Sequence, residues 1–147
     1  MVDAAMLDAP GCPMDYVSFG LLGASAYRTV VVATPWLAAQ ADCANDGVGT
    51  HLVVIDNITE NMTVDALTGA SVTWIGFSDR ITEGTFRAVT GAVVGFTNWG
   101  AGNPDGAAAQ NCVALYSGTL WGDGDCAYAM PAYVCECDGV PSDPAAF

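Results

Sequence analysis

Six cysteines limit this chain more than any other feature. Cys12, Cys43, Cys112, Cys126, Cys135 and Cys137 are spread over 147 residues. An even number in a small chain with few charged residues predicts three disulfides and an oxidising compartment. Many pairings are open to six cysteines, and spacing alone does not choose among them. Zinc is the rival use for so many thiols. One residue separates Cys135 from Cys137, no Cys-x-x-Cys pair occurs, and His51 is the single histidine. The spacings of structural zinc sites are therefore missing.

Charge removes further classes of function. The formal net charge is −13, there is no lysine, and the basic residues are Arg28, Arg80 and Arg87. Nucleic-acid binding requires a basic stripe that neutralises phosphates, and three scattered arginines do not make one. An anionic membrane surface is disfavoured for the same reason. An acidic surface keeps an apolar-rich chain soluble, or attracts cations. The nearly uncharged stretch from Val17 to Ala41 carries Arg28 at its centre and is broken by Gly20, Gly23 and Pro35. It is read as strand, turn, strand and helix start, with no membrane insertion. The N-terminus lacks a basic region followed by an apolar core. The expectation is a secreted or extracellular protein whose signal peptide has been removed.

The pattern along the chain predicts one folded unit at 12–138, preceded by a lead-in at 1–11 and followed by a frayed tail at 139–147. Tyr16–Phe19 and Tyr27–Val32 read as a hairpin. Thr34 as N-cap and Pro35 at the first helical position start a helix that runs to Cys43. His51–Ile55 reads as a strand. Thr59–Leu67 reads as a second helix with Met62, Ala66 and Leu67 on its inner face. Val72–Phe77, Phe86–Val89, Cys112–Tyr116, Thr119–Trp121 and Tyr133–Cys137 read as strands. Between them, Gly100–Gln110 offers almost nothing that can fill a core, so it is a long loop of the kind that usually carries function. Helices early and strands late indicate an α+β domain. Asn57-Ile58-Thr59 and Asn61-Met62-Thr63 fit the N-glycosylation pattern, with Asn61 a candidate to face the core instead.

An ordered series of short motifs occupies the same chain. Trp36, Ala39 and Cys43 precede His51-Leu52-Val53-Val54-Ile55. Trp74-Ile75-Gly76-Phe77 is followed by Ser78-Asp79 and Glu83-Gly84-Thr85-Phe86. Phe96-Thr97-Asn98-Trp99 leads into the loop, which contains Asn103-Pro104-Asp105 and closes on Asn111-Cys112-Val113. Trp121-Gly122-Asp123-Gly124-Asp125-Cys126 and Tyr133-Val134-Cys135-Glu136 complete it. In this order and spacing the series resembles the C-type lectin-like family over roughly Cys12 to Asp138. The resemblance implies a C-type lectin-like fold: two helices, two small antiparallel sheets, a long ligand loop and three disulfides. It implies the pairs Cys43–Cys135 and Cys112–Cys126, which leaves Cys12 with Cys137. Cys135 and Cys137 share one face of a strand, so an exchange of their partners stays open.

The resemblance also implies where a ligand would sit. Family members that bind sugar hold a calcium ion in the long loop, and two vicinal sugar hydroxyls complete its shell. Calcium takes six to eight oxygens. The matching donors are Asn103, Asp105, Gln110 and Asp123, as both metal and ligand residues. Asn103-Pro104-Asp105 is similar to the Gln-Pro-Asp subtype associated with galactose-type ligands, and the Asn103–Pro104 peptide is expected to be cis. Gly122 stands where the family has an asparagine, and no side-chain oxygen replaces it; Asp125 lies nearby. Asp79 and Glu83 match an auxiliary calcium position, but there an ordinary structural role is expected, with Asp79 ordering a turn and Glu83 serving backbone donors near Gly84. Trp74, Trp99 and Trp121 are expected to anchor core and loop.

The function expected is carbohydrate recognition through loop calcium. The alternative is a calcium-independent protein-interaction or adhesion module on the same fold. No nucleophile motif and no placed acid–base pair is present, so the chain is not expected to be an enzyme. The partner is a glycan or protein ligand, and the sequence does not name it.

Overall fold

A computed structural model of the chain describes residues 11–19, 23–106 and 108–147. Ten elements follow in order: β1 (Val17–Ser18), β2 (Ala26–Val30), α1 (Trp36–Asn45), β3 (Thr50–Leu52), α2 (Ile58–Leu67), β4 (Thr73–Ser78), β5 (Arg87–Ala88), β6 (Cys112–Leu115), β7 (Trp121–Gly124) and β8 (Ala132–Cys137). Short 3-10 turns occupy Ser117–Thr119 and Pro144–Ala146. Most of the lead-in and the tip of the first hairpin lie outside the described residues.

The strands form two antiparallel groups joined into one connected sheet. β2 lies between β1 and β8, and β3 also pairs with β8. β4 pairs antiparallel with β5 and β6, and β6 with β7. A short parallel contact, Thr73 with Ala132 and Trp74 with Tyr133, joins the groups. The first group packs against α1, while α2 reaches the second group through Asn61, which bonds Thr119 and Trp121. The second carries the long loop.

Gly76 shows why the Trp74–Phe77 strand needs a glycine. A Cβ there would stand 2.5 Å from the Leu52 carbonyl oxygen and 2.9 Å from that of Val53. The Gly76 N–H donates to Val53 O at 2.7 Å. Only a residue without a side chain lets the end of β3 approach β4 so closely.

The core is built on indoles. Trp36, Trp74 and Trp121 are fully buried, and each N–H finds an acceptor: Ile75 O at 2.9 Å, Thr34 O at 2.8 Å and Asn61 Oδ1 at 2.7 Å. Burying a large ring is favourable only if its polar tip is satisfied. All three disulfides implied by the resemblance are formed: Cys12–Cys137, Cys43–Cys135 and Cys112–Cys126.

Several sequence expectations are corrected. Pro35, not Thr34, caps α1, with extended ψ of 155° and no side-chain cap; the Thr34 hydroxyl donates to Val32 O instead. The inner face of α2 is Glu60, Asn61 and Val64, while Met62 is 59 % exposed. Apolar periodicity misreads this helix because two of its buried residues are polar and satisfied. Asn57 caps it by accepting from Glu60 N, and the Glu60 carboxylate reaches back to Asp56 N–H. Asn61 is buried and bonded to Trp121 and Thr119, so it is unavailable to a glycosyltransferase in the folded chain, while Asn57 is exposed. The strand expected at Thr119–Trp121 begins at Trp121, after a 3-10 turn. The tail is not frayed: Asp143 N–H donates to Val89 O, Gln40 Nε2 to Ser142 Oγ, and the Phe147 ring meets Trp36 edge-on at 5.7 Å.

Candidate functional site

The long loop rises from an aromatic base. Trp121 stacks on Phe77 at 5.1 Å and meets Phe96 and Trp99 edge-on, each at 5.8 Å; Phe86 packs on Trp99 at 5.0 Å. Backbone bonds tie this base to the loop. Trp121 N–H donates to Asn98 O and Gly100 N–H to Trp121 O, both at 2.8 Å. Asn98 and Asn61 side-chain amides both donate to Thr119 O. On the far side, Cys112–Cys126 crosslinks the segments that follow the loop. A loop with little apolar content is thus clamped at its foot, and its polar residues need not fold it.

Of the four expected donors, Asp105, Gln110 and Asp123 contact one another, and Asn103 Oδ1 lies beside Gly122. The Asn103–Pro104 peptide is cis, as expected. Asp105 N–H donates to Asp123 Oδ1 at 3.2 Å. Asp123 is 6 % exposed, while Asp105 lies at the surface. One terminal atom of the Gln110 carboxamide stands 2.7 Å from both Asp105 carboxylate oxygens. With its nitrogen there, Gln110 donates two hydrogen bonds. With its oxygen there, three oxygens converge at about the 3 Å spacing expected between neighbours in a calcium shell with metal–oxygen distances of roughly 2.3–2.6 Å. Among the protein's own groups, the nitrogen orientation is the one that pairs donor with acceptor. The donor set, two carboxylates and two amides, is hard oxygen throughout and fits calcium better than a softer metal.

Gly122 has a positive reason to lack a side chain. A Cβ there would lie 2.7 Å from Cε2 and 3.1 Å from Cδ2 of Tyr116, and 3.5 Å from Asn103 Oδ1. The Tyr116 ring therefore fills the space beside Asn103 where the family's asparagine would start. Burial raises the Tyr116 pKa, and the negative charge of Asp123 adds to the effect. Reading donors one position at a time missed Tyr116. The available signal was the pairing of an emptied position, Gly122, with a bulky aromatic on the partner strand. Asp125 is exposed and caps its own turn by accepting from Ala127 N–H.

The auxiliary position divides differently from expectation. Asp79 is buried and its Oδ2 accepts from Gly84 N–H at 2.9 Å, the role expected of Glu83. Glu83 is exposed. Asp79 Oδ1 and Asn111 Oδ1 are both buried and accept no hydrogen bond from a described residue, and Asp79 N–H donates to Asn111 O. Asn111 was visible in its motif, but nothing in sequence marks an oxygen as unsatisfied.

A second polar cluster lies in the other half of the sheet. His51, Glu136 and Asp138 bring ligand-type atoms within 4.8 Å of one another. Each of them is hydrogen-bonded within the fold. Glu136 accepts from Val54 N–H and Ser25 Oγ–H, Glu60 from Tyr27 Oη–H and Asp56 N–H, and Asp138 Oδ1 from Val140 N–H. The His51 ring nitrogens face Leu52 O at 2.7 Å and Asp138 Oδ1 at 3.0 Å. This network holds strands and tail together. No helix among the described residues is long and apolar enough to cross a membrane.

The comparisons bear on the family and the fold. The family model described as "Lectin C-type domain" matches residues 32–137. Echinoidin of Heliocidaris crassispina is 30% identical over 144 residues, covering 85% of this chain and 95% of that protein. C-type lectin domain family 4 member G of Homo sapiens is also 30% identical, covering 85% of this chain; the chain spans 42% of that relative's length. Among solved structures, the cow C-type carbohydrate-recognition domain of CD23, determined in the presence of a GlcNAc2Man3 oligosaccharide, superposes with a TM-score of 0.76 at 26% identity. That match covers 85% of this chain and 94% of the other.

Proposed function

We propose, for a chain that belongs to the C-type lectin domain family of typically non-enzymatic binding modules, that its long loop recognises carbohydrate through calcium. Asn103, Asp105, Gln110 and Asp123 would hold the ion, which when bound offers coordination positions to a pair of vicinal sugar hydroxyls. The observation that supports the reading is the Gln110 carboxamide 2.7 Å from both Asp105 carboxylate oxygens, with the Asp105 backbone N–H 3.2 Å from Asp123 Oδ1. The clamped loop pre-forms this set, which lowers the ordering cost of binding. A galactose-type ligand is the first candidate because the central tripeptide is Asn-Pro-Asp. The unpaired oxygens of Asp79 and Asn111 support an auxiliary calcium at the position where the resemblance puts Asp79 and Glu83. The setting is extracellular or secreted, in keeping with the three disulfides.

The alternative is calcium-independent recognition of a protein. The missing side chain at Gly122, with Tyr116 in its place, favours it. Thermal melts in calcium and in chelator separate the two. A ligand present at a hundred times its dissociation constant stabilises the native state by about 2.7 kcal/mol. The calcium-dependent rise in midpoint is expected to disappear in Asp105→Ala and in Asp123→Ala. Superimposable melts of the unmodified protein would leave the protein-binding reading.

A further inference from the structure

The first half of the sheet shows how this fold holds a cation of its own. The guanidinium carbon of Arg28 lies 5.9 Å from the centre of the Tyr16 ring. Its Nε donates to Asp46 at 2.8 Å and its Nη2 to Asp42 at 2.9 Å. The Tyr16 and Tyr133 hydroxyls donate to the same two carboxylates. Two tyrosines and two aspartates thus surround one arginine. A guanidinium suits such a place because it is planar, packs on aromatic faces and forks into carboxylates.

The same side-chain types meet again around a groove of about 440 Å³ beside β7. Tyr116, Tyr128, Asp123 and Asp125 line it, and Met130 and Pro131 add an apolar wall. Here the chain supplies no cation: among the described residues no basic side chain lines the groove. The Tyr116 ring sits against Gly122, where a Cβ would stand 2.7 Å from its Cε2. Tyr128 is 63 % exposed, an aromatic face that contributes little to the core. Asp123 is 6 % exposed, and its Oδ1 accepts from Asp105 N–H. Asp125 Oδ1 accepts from Ala127 N–H. Among the described residues no group donates to the second oxygen of either carboxylate. A carboxylate so largely buried gains from a partner of opposite charge. The net charge of −13 draws a basic partner toward this surface and turns an acidic one away.

We propose that this groove receives an arginine side chain of a partner protein, with the guanidinium against Tyr116 and Tyr128 and paired to Asp123 and Asp125. The methylene stem would lie along Met130 and Pro131. The site repeats with a foreign arginine what Tyr16, Tyr133, Asp42 and Asp46 do with Arg28. It goes beyond the carbohydrate reading of the loop and does not require calcium there.

NMR titration of the full chain tests it with three capped pentapeptides, Gly-Gly-X-Gly-Gly, where X is arginine, lysine or citrulline. Chelator is present throughout, so the calcium reading of the loop has no part in the result. The arginine peptide is expected to shift the signals of Tyr128 and Asp125. It is expected to bind about tenfold tighter than the citrulline peptide, which keeps the shape and loses the charge, and about threefold tighter than the lysine peptide. Tyr128→Ala and Asp125→Asn, both at exposed positions, are each expected to weaken it about threefold or more, and Tyr128→Phe to retain it. Asp15→Asn removes one charge from the other half of the sheet and is expected to leave it unchanged. Equal binding of the arginine and citrulline peptides, or no shift at Tyr128, overturns the proposal. So does a loss in Asp15→Asn as large as that in Asp125→Asn, because bulk charge would then account for the binding. Lysine binding as tight as arginine overturns the assignment to a guanidinium.

Discussion

Two polar clusters of similar composition sit in the two halves of this sheet, and they are bonded in different ways. Around β3, α2 and β8, Glu60, Glu136, His51 and Asp138 are buried or half-buried and bonded to backbone and hydroxyl donors. Around the long loop, Asp105, Gln110 and Asp123 face mainly one another. The first cluster is bonded to backbone and hydroxyl donors from several elements of the fold. The second is bonded between residues of the loop and the strand beside it. Composition does not distinguish the two; what each oxygen accepts does.

The largest expected contrast is in the crosslinks. Cys43–Cys135 closes a separation of 92 residues beside the first cluster, and Cys112–Cys126 one of 14 beside the second. On the chain-entropy model a loop of about 100 residues is worth roughly 4.7 kcal/mol and one of about 15 roughly 3 kcal/mol. Paired Cys→Ala variants, unfolded in urea, are expected to follow that order. Only the Cys112/Cys126 variant is expected to lose the calcium-dependent rise in midpoint at temperatures where it is still folded. An equal calcium response in both variants would break the division.

A smaller effect separates a filled bond from a clamp. Asn61→Leu leaves the buried Trp121 N–H without its acceptor and removes one of the two amide donors to Thr119 O, and is expected to cost about 1–3 kcal/mol. The loop stands on Trp121, so calcium affinity should weaken as well. A stability loss with unchanged calcium affinity would show that the aromatic base does not position the loop.

The smallest effect concerns pH. Burial, reinforced by the charges of Glu60 and Asp138, pushes the Glu136 carboxyl well above its usual range, and burial raises Glu60 too. A carboxyl whose folded pKa is raised binds its proton more tightly in the folded state. Its stabilisation is fully present below the ordinary glutamate pKa of about 4.5 and is lost as pH rises through the folded value. The melting midpoint is therefore expected to fall between mildly acidic and neutral pH. Asp138 runs the other way: burial alone would raise it, but the His51 ring lowers it overall, so its contribution is lost only in strong acid. Glu136→Gln keeps an acceptor for Val54 N–H and a donor for Ser25, and is expected to flatten the profile above pH 5. An unchanged slope would remove Glu136 from the explanation.

Much of this was legible in the residues. The six cysteines set the disulfide class, the ordered motifs indicated the fold, and Asn103, Asp105, Gln110 and Asp123 could be named because they are fixed by position relative to Trp99, Cys112 and Trp121. Such features are local, or are carried by spacing along the chain. Tertiary structure decided the rest. It placed Tyr116 over Gly122, turned polar Glu60 and Asn61 inward on α2, folded the tail onto Trp36, and left Asp79 and Asn111 with unpaired oxygens. Each of these depends on what a distant segment brings to the same few ångströms. A sequence states which groups a chain carries, but whether a group's bonding capacity is spent depends on neighbours that only folding supplies.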